Sequence, residues 1–264
     1  MKSSLPPDTP GNARVRAAFD RAAPSYDAAA EFQRLICDRL IEMLGNNLAP
    51  RDIADLGCGT GYTSERLALR FPTAHIAAVD FAPAMLNVAR SRGRASSWIA
   101  ADVQRLPFAP GTMDLVCSSL ALQWCDPAAA FAEAARVLRP GGRVALASVG
   151  PGTLSELETA FAGIDSHDHV LKFHPLDELK NHLEAHGLRV EHASVLPLTL
   201  HRPDLSAILR ELKAIGANNA GPRRRRGILG RATWRQVEQR YERLRRPEGL
   251  PVTYCALYLL AVRL

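Results

Sequence analysis

Glycines stand at alternate positions in the stretch Asp55-Leu56-Gly57-Cys58-Gly59-Thr60-Gly61-Tyr62. That spacing lets a chain turn through positive φ, brings a ligand against bare backbone, and points the free N–H groups of a following helix at an anion. A dinucleotide fingerprint needs a small residue at its sixth position. Tyr62 stands there, so the loop argues against NAD or FAD. Two carboxylates follow in suggestive places. Asp80 comes roughly 20 residues beyond the loop, where a carboxylate can accept both hydroxyls of a ribose. Asp102 comes later, where it can take an adenine amino group while Val103 supplies a backbone N–H. A lone Asp in such a place is a turn former or helix cap; Asp55, Asp80 and Asp102 in register describe a nucleoside-bearing ligand.

The elements that must hold these residues alternate. Short apolar, β-rich runs at 53–56, 75–80, 97–101, 113–119 and 143–149 predict strands. Helical patterns at 62–70, 84–92 and 127–138 fall between them, behind two N-terminal helices at 13–22 and 28–44. Such alternation predicts the α/β class, a Rossmann-like, doubly wound parallel sheet with helices on both faces. Beyond 149 the pattern predicts helices at 154–164 and 176–186, a strand at 188–200, helices at 204–215 and 233–244, and a last strand at 252–262. The two late helices form an insertion between the last two strands, placed over the end of the sheet where open α/β folds bind ligands.

The glycine loop with its two following acids resembles the class I S-adenosylmethionine-dependent methyltransferases. Leu106-Pro107-Phe108, Met113-Asp114-Leu115-Val116 and Val137-Leu138-Arg139-Pro140-Gly141-Gly142 carry the same resemblance through the fourth and fifth strands. It implies a seven-stranded sheet with an antiparallel last strand and S-adenosylmethionine as cofactor. To Asp55, Gly57, Gly59, Gly61, Asp80, Asp102 and Val103 it adds Cys58, Phe81 and Ser119 as cofactor-binding residues.

Blocks outside that half resemble one family, the BioC malonyl-carrier-protein O-methyltransferases of biotin synthesis. They are Phe19-Asp20-Arg21-Ala22-Ala23 with Tyr26-Asp27, Leu120-Ala121-Leu122-Gln123-Trp124-Cys125, Gly152-Thr153-Leu154-Ser155-Glu156-Leu157, Leu212-Lys213-Ala214-Ile215-Gly216-Ala217-Asn218 and Leu250-Pro251-Val252-Thr253-Tyr254. The resemblance implies methyl transfer to the free carboxylate of a malonyl thioester, on an acidic acyl carrier protein or on coenzyme A. It divides the chain into a disordered tail at 1–12, a helical lid at 13–48, a cofactor-binding core at 49–200, a basic helical insertion at 201–250 and a final strand at 251–264. Tyr26 on the lid is expected to close over the cofactor and donate its hydroxyl toward the reacting carboxylate. Lys172 stands in Lys172-Phe173-His174-Pro175, where the family shows Arg-Phe-Leu-Pro, and is expected to orient that carboxylate. Gln123 and Trp124 are expected in the acyl pocket.

The chemistry asks for little beyond positioning. A malonyl carboxylate, with a reference pKa of about 4, is ionised at neutral pH and serves as its own nucleophile. Holding oxygen, methyl and sulfur in line can lower the barrier by roughly 7–11 kcal/mol.

Charge points to the partner. From position 201 onward the chain carries 14 Lys and Arg against five Asp and Glu, whereas the first 200 positions carry 19 against 22. Such asymmetry suggests an acidic partner for the last quarter. On the family resemblance, Lys213, Arg223, Arg224, Arg225, Arg226 and Arg231 form a landing face for the carrier, speeding encounter more than adding affinity.

Several classes are excluded or left as alternatives. With 264 residues, 47% of them apolar, the chain can bury a real core. No apolar run approaches the roughly 20 residues of a membrane span, and the start shows no secretory h-region, so a cytoplasmic protein is expected. Five scattered cysteines without ligand spacing predict neither disulfide nor zinc. A nucleic-acid methyltransferase is a weaker reading: base-modifying enzymes need a flipped-base pocket with its own motif, and Ser118-Ser119-Leu120-Ala121 lacks it. A respiratory-complex assembly factor or protein hydroxylase of the same fold is the remaining alternative.

Overall fold

The computed structural model describes residues 10–217 and 229–264. Five parallel strands, β1 (Asp52–Leu56), β2 (His75–Asp80), β3 (Ser97–Ala100), β4 (Met113–Ser119) and β5 (Leu138–Val149), are joined by β6 (Leu188–Arg202) and β7 (Leu250–Arg263). They form one seven-stranded sheet in the order β3-β2-β1-β4-β5-β7-β6. β7 pairs antiparallel with both β5 and β6, as the family resemblance implies.

Burial on both faces explains why the strands read as nearly continuous apolar runs. Along β1, Ile53 packs into one core with Ile36, Leu40 and Leu67, while Ala54 and Leu56 pack into the opposite one with Phe131, Leu179 and Leu183. Alternation at period two is visible in this single strand. It places Asp55 on the first face, fully buried.

The N-terminal segment folds as α1 (Pro10–Ala22), α2 (Tyr26–Ala29) and α3 (Glu31–Glu42). A single helix was expected across 28–44, and the chain instead breaks at Ala30 (φ −91°, ψ 36°). Nothing in Ala28-Ala29-Ala30 signals a break, since alanine is the best helix former; Phe32 stacked on Tyr254 at 3.8 Å fixes where α3 must begin. Its residues Phe32, Ile36, Leu40 and Ile41 belong to the main core, so α3 is part of the sheet's helical layer. α1 and α2 bring Phe19 and Tyr26 over the sheet end.

Between the strands lie α4 (Tyr62–Arg70), α5 (Pro83–Arg92), the turn Leu122–Trp124, α6 (Pro127–Val137), α7 (Ser155–Phe161) and α8 (Leu176–Ala185). Two helices, α9 (Leu205–Ala214) and α10 (Arg231–Glu242), interrupt the β6–β7 hairpin. α9 packs against α2 and β6, and α10 against α7 and α9. Blocks far apart in sequence thereby meet. Ser25 Oγ donates to the Ala214 carbonyl at 3.3 Å, and Glu156 accepts from both the backbone N–H and the hydroxyl of Thr253. Among the described residues, no helix is long and apolar enough to cross a membrane.

Candidate functional site

β1 ends against a buried turn. The backbone N–H groups of Gly57 and Cys58 both donate to the Val79 carbonyl, at 2.8 and 3.0 Å. Gly57 has φ +70°, and a Cβ there would lie 2.2 Å from that of Ala121, so glycine is demanded by the crossing of two loops. At Gly59 (φ +54°) a Cβ would meet nothing within 4 Å. Its bare backbone faces open space.

The acids surround that space. Asp80 accepts from the Gly59 N–H at 2.9 Å and the Ala82 N–H at 2.8 Å, which fixes its carboxylate beside the glycine turn. Its oxygens keep lone pairs for further donors. Burial pushes Asp80 up to about 6 despite these hydrogen bonds. Burial also pushes Asp55 up to about 7. Ser64 Oγ donates to Asp55 Oδ2 at 2.5 Å, while Oδ1 is buried without a hydrogen-bond partner among the described residues. Asp102 is held by the backbone and side-chain amides of Gln104 at 2.9 and 3.1 Å. Gln104 was not legible as a site residue.

Three cavities converge here. A narrow cleft is lined by Gly57, Asp80, Phe81, Asp102, Val103 and Ser119. A polar chamber of about 220 Å³ shares Gly57, Gly59 and Ser119 with it and adds Arg34, Cys58 and Thr60. Gly61 and Asp55 line neither; Gly61 (φ +90°) is the N-cap of α4, and Asp55 lies beneath the turn. An apolar cavity of about 330 Å³ opens from the cleft past Leu120 and Trp124, which line both. Leu120 has φ +58°, a conformation that costs a branched residue energy and is kept where the surroundings enforce it.

The roof comes from α1 and α2. Phe19 sets its edge against Trp124 at 5.4 Å and Phe81 at 6.2 Å. Tyr26 lines the cleft and the chamber. Burial raises its pKa, with Asp80 and Asp27 adding to the rise, so it is a neutral phenol at physiological pH. It does not line the apolar cavity.

Gln123 and Trp124 line the apolar cavity. The Gln123 amide is anchored at both ends, donating to the Leu120 carbonyl at 2.8 Å and accepting from Ser148 Oγ at 3.4 Å. Lys172 is displaced from its expected place. It is exposed and lines, with Glu158 and Asp165, a depression that adjoins the apolar cavity. Its neighbours Leu171 and Phe173 line that depression and the apolar cavity as well. Lys213, expected on a landing face, stands at the mouth of that cavity. Arg231 is exposed in the first turn of α10. Arg223, Arg224, Arg225 and Arg226 lie outside the described residues. Asp27, Gln33 and Arg34 also line this ensemble; Gln33 and Arg34 stand on an ordinary amphipathic helix that gave no local signal.

The donor set fits S-adenosylmethionine. The cleft offers Asp80 to a ribose and Asp102 to an adenine, and the bare turn at Gly59 leaves room for the ligand.

Comparison with known proteins agrees. A family model described as a methyltransferase domain matches residues 54–146. The chain is 46% identical to the malonyl-[acyl-carrier protein] O-methyltransferase of Dechloromonas aromatica (strain RCB), covering 99% of both chains. It is 42% identical to that of Laribacter hongkongensis (strain HLHK9), covering 93% of this chain and 87% of the relative. The solved structure of a geranyl diphosphate C-methyltransferase from Streptomyces coelicolor, with S-adenosyl-L-homocysteine bound, superposes with TM-score 0.53 at 17% identity, over 86% of this chain and 78% of that one. The glycine turn, the two acids beside it and near-full-length identity with these relatives together show that the chain belongs to the malonyl-[acyl-carrier protein] O-methyltransferase family, whose methyl donor is S-adenosylmethionine.

Proposed function

We propose that this protein methylates the free carboxylate of a malonyl thioester carried on an acidic acyl carrier protein. The observation that carries the reading is the apolar cavity opening onto the cofactor cleft between Leu120 and Trp124, with Lys213 at its mouth. Its walls suit a short acyl chain and its opening admits one from outside.

The chain's own residues bind and orient. Asp80 and Asp102 hold the nucleoside, with the Val103 backbone and Phe81 beside it, while Gly57, Gly59 and Ser119 form the floor on which it lies. Tyr26 and Phe19 close the roof and exclude water, and Arg34 offers a cation to the carboxylate of the methionine portion. When bound, the cofactor supplies a methyl group on a positively charged sulfur, which leaves as a neutral thioether as the carboxylate oxygen takes the methyl. No protein base is needed, because the acceptor is already ionised. Gln123 and Trp124 fix the acceptor chain, so the gain comes from alignment. Lys213 at the cavity mouth and the exposed Arg231 on α10 offer positive charge to the carrier, which speeds docking of an acidic partner.

The test is direct. Incubated with S-adenosylmethionine and malonyl-loaded acyl carrier protein, the purified protein should add one methyl group to the malonyl moiety, seen by intact mass. Acetyl-loaded carrier, which lacks the free carboxylate, should remain unmodified. An unmethylated malonyl carrier in the presence of a cofactor-binding protein would overturn the reading.

A further inference from the structure

Gln33, on α3, lines both the apolar cavity and the polar chamber. Its amide oxygen is buried and has no hydrogen-bond partner among the described residues. Buried polar atoms without partners are rare, and such an atom calls for an explanation. The residues on either side pin it there: Phe32 is stacked on Tyr254, and Arg34 donates to the Asp27 carbonyl at 2.7 Å.

Three other polar side chains of the cavity are already engaged. Gln123 is bound at both ends, Thr153 Oγ1 accepts from the Cys255 N–H at 3.0 Å, and His169 Nε2 is bonded to Asp165 at 2.9 Å. An amide offers both an acceptor and two N–H donors. We propose that Gln33 bridges the two substrates, its N–H donating to the reacting carboxylate in the cavity and its carbonyl oxygen accepting from the ammonium of the methionine portion in the chamber. The assignment rests on the carboxylate-acceptor reading above. A neutral donor suits this reaction, because it fixes the carboxylate without the ion pair that would quench its nucleophilicity. As a residue that holds both reactants across the point of transfer, Gln33 aligns them.

Two variants of the full chain separate this from a packing role. Gln33→Glu keeps size and an acceptor oxygen but sets a second carboxylate against the substrate's. Its kcat/KM for malonyl carrier protein should fall at least about 10-fold at neutral pH, and should recover as pH falls toward 6, because a carboxyl beside another carboxylate takes up a proton readily and regains an O–H donor. Its affinity for S-adenosylhomocysteine should stay within about 3-fold of wild type, since an acceptor oxygen remains. Gln33→Leu should lose both affinities at every pH. A Gln33→Glu enzyme with unchanged acceptor kinetics, or one impaired equally at all pH values, overturns the bridge. Wild-type protein run alongside keeps the two ideas apart: if it fails to methylate malonyl carrier, the acceptor reading itself falls, and if it succeeds while Gln33→Glu is unimpaired, Gln33 alone is wrongly placed.

Discussion

Asp27 on α2 accepts a hydrogen bond from the hydroxyl of Thr60, in the glycine turn, at 2.6 Å. Its other oxygen pairs with Arg92 of α5, and Arg92 also reaches Glu65 at 3.5 Å. The roof is thus tied to the turn it covers, so losing the tie should loosen cofactor binding before it loosens the fold.

Asp27→Ala tests that coupling. Thr60 is 2% exposed, so removing its partner leaves a buried hydroxyl unsatisfied, at about 1–2 kcal/mol. The Asp27–Arg92 pair adds little, because Asp27 is about 42% exposed. S-Adenosylhomocysteine affinity by calorimetry should drop roughly 10-fold, with the melting temperature changed by only a few degrees. Thr60→Val should reproduce most of the loss. Equal affinity in all three proteins would mean the roof closes without this contact.

Asp55 and Asp80 make a second prediction, in pH. Burial raises both above the usual carboxylate value of about 4, to about 7 and about 6. The folded protein therefore binds protons more tightly than the unfolded chain in this window. The stability these groups contribute is fully present below about pH 4 and is lost as pH rises through 6 and 7. Ligand-free protein should melt at a lower temperature at pH 8 than an otherwise flat profile from pH 5 would give. Asp55→Asn should flatten that decline, being neutral throughout. Cofactor binding should run the other way, strengthening as pH rises and Asp80, which lines the cleft, ionises into a better acceptor for hydroxyl donors. A melting profile identical in wild type and Asp55→Asn would show that Asp55 does not titrate in this range.

How much of this was written in the sequence depends on the range of the contact. The strands His75–Asp80 and Met113–Ser119 were legible to the residue, because each is an apolar run bounded by turn formers. β5 was read as starting at 143 and starts at Leu138; the Pro140-Gly141-Gly142 stretch looks like a turn locally, yet Leu138 pairs with Met113 across a bulge. That Asp80 and Asp102 share one cleft was legible because a strand end and a loop place them by sequence alone. Gln33 and Arg34 were not, since their places arise only when α3 and the glycine turn come together; Gln104, which binds Asp102 two residues away, carried no motif signal. Lys172 lies in a depression that shares Leu171 and Phe173 with the apolar cavity, a placement that its motif position alone does not give.

The glycine turn gives a prediction about geometry. Ala at position 57 would combine φ +70° with a Cβ 2.2 Å from that of Ala121. The clash involves the loop after β4, so Gly57→Ala should abolish cofactor binding and cost roughly 2–3 kcal/mol of stability. Adding Ala121→Gly removes the opposing methyl but not the backbone strain of about 1 kcal/mol. The double variant should recover much of the stability and part of the affinity. If the second change rescues nothing, the crossing of the two loops is not what demands glycine.

The last prediction concerns the acceptor side. Arg202, at the end of β6, pairs with Glu211 of α9, both about 16–17% exposed, and its Nη2 also reaches Glu31 of α3 at 2.9 Å. The pair holds α9 where its Leu209, Leu212 and Lys213 form a wall and the mouth of the apolar cavity. Glu211→Ala leaves Arg202 with the exposed Glu31 as its remaining carboxylate. Removing one partner of a mostly buried pair is strongly destabilising, and the residual exposure and the Glu31 contact discount that to about 2 kcal/mol. The melting temperature should fall by about 4–8 °C. Because α9 does not reach the cofactor cleft, S-adenosylhomocysteine affinity should stay within about 2-fold while KM for the malonyl carrier rises several-fold, as an under-held wall binds both reaction states less well. A loss of stability with an unchanged carrier KM would show that α9 keeps its place by apolar packing of Leu205 and Ile208, and that the ion pair serves the fold and not the acceptor.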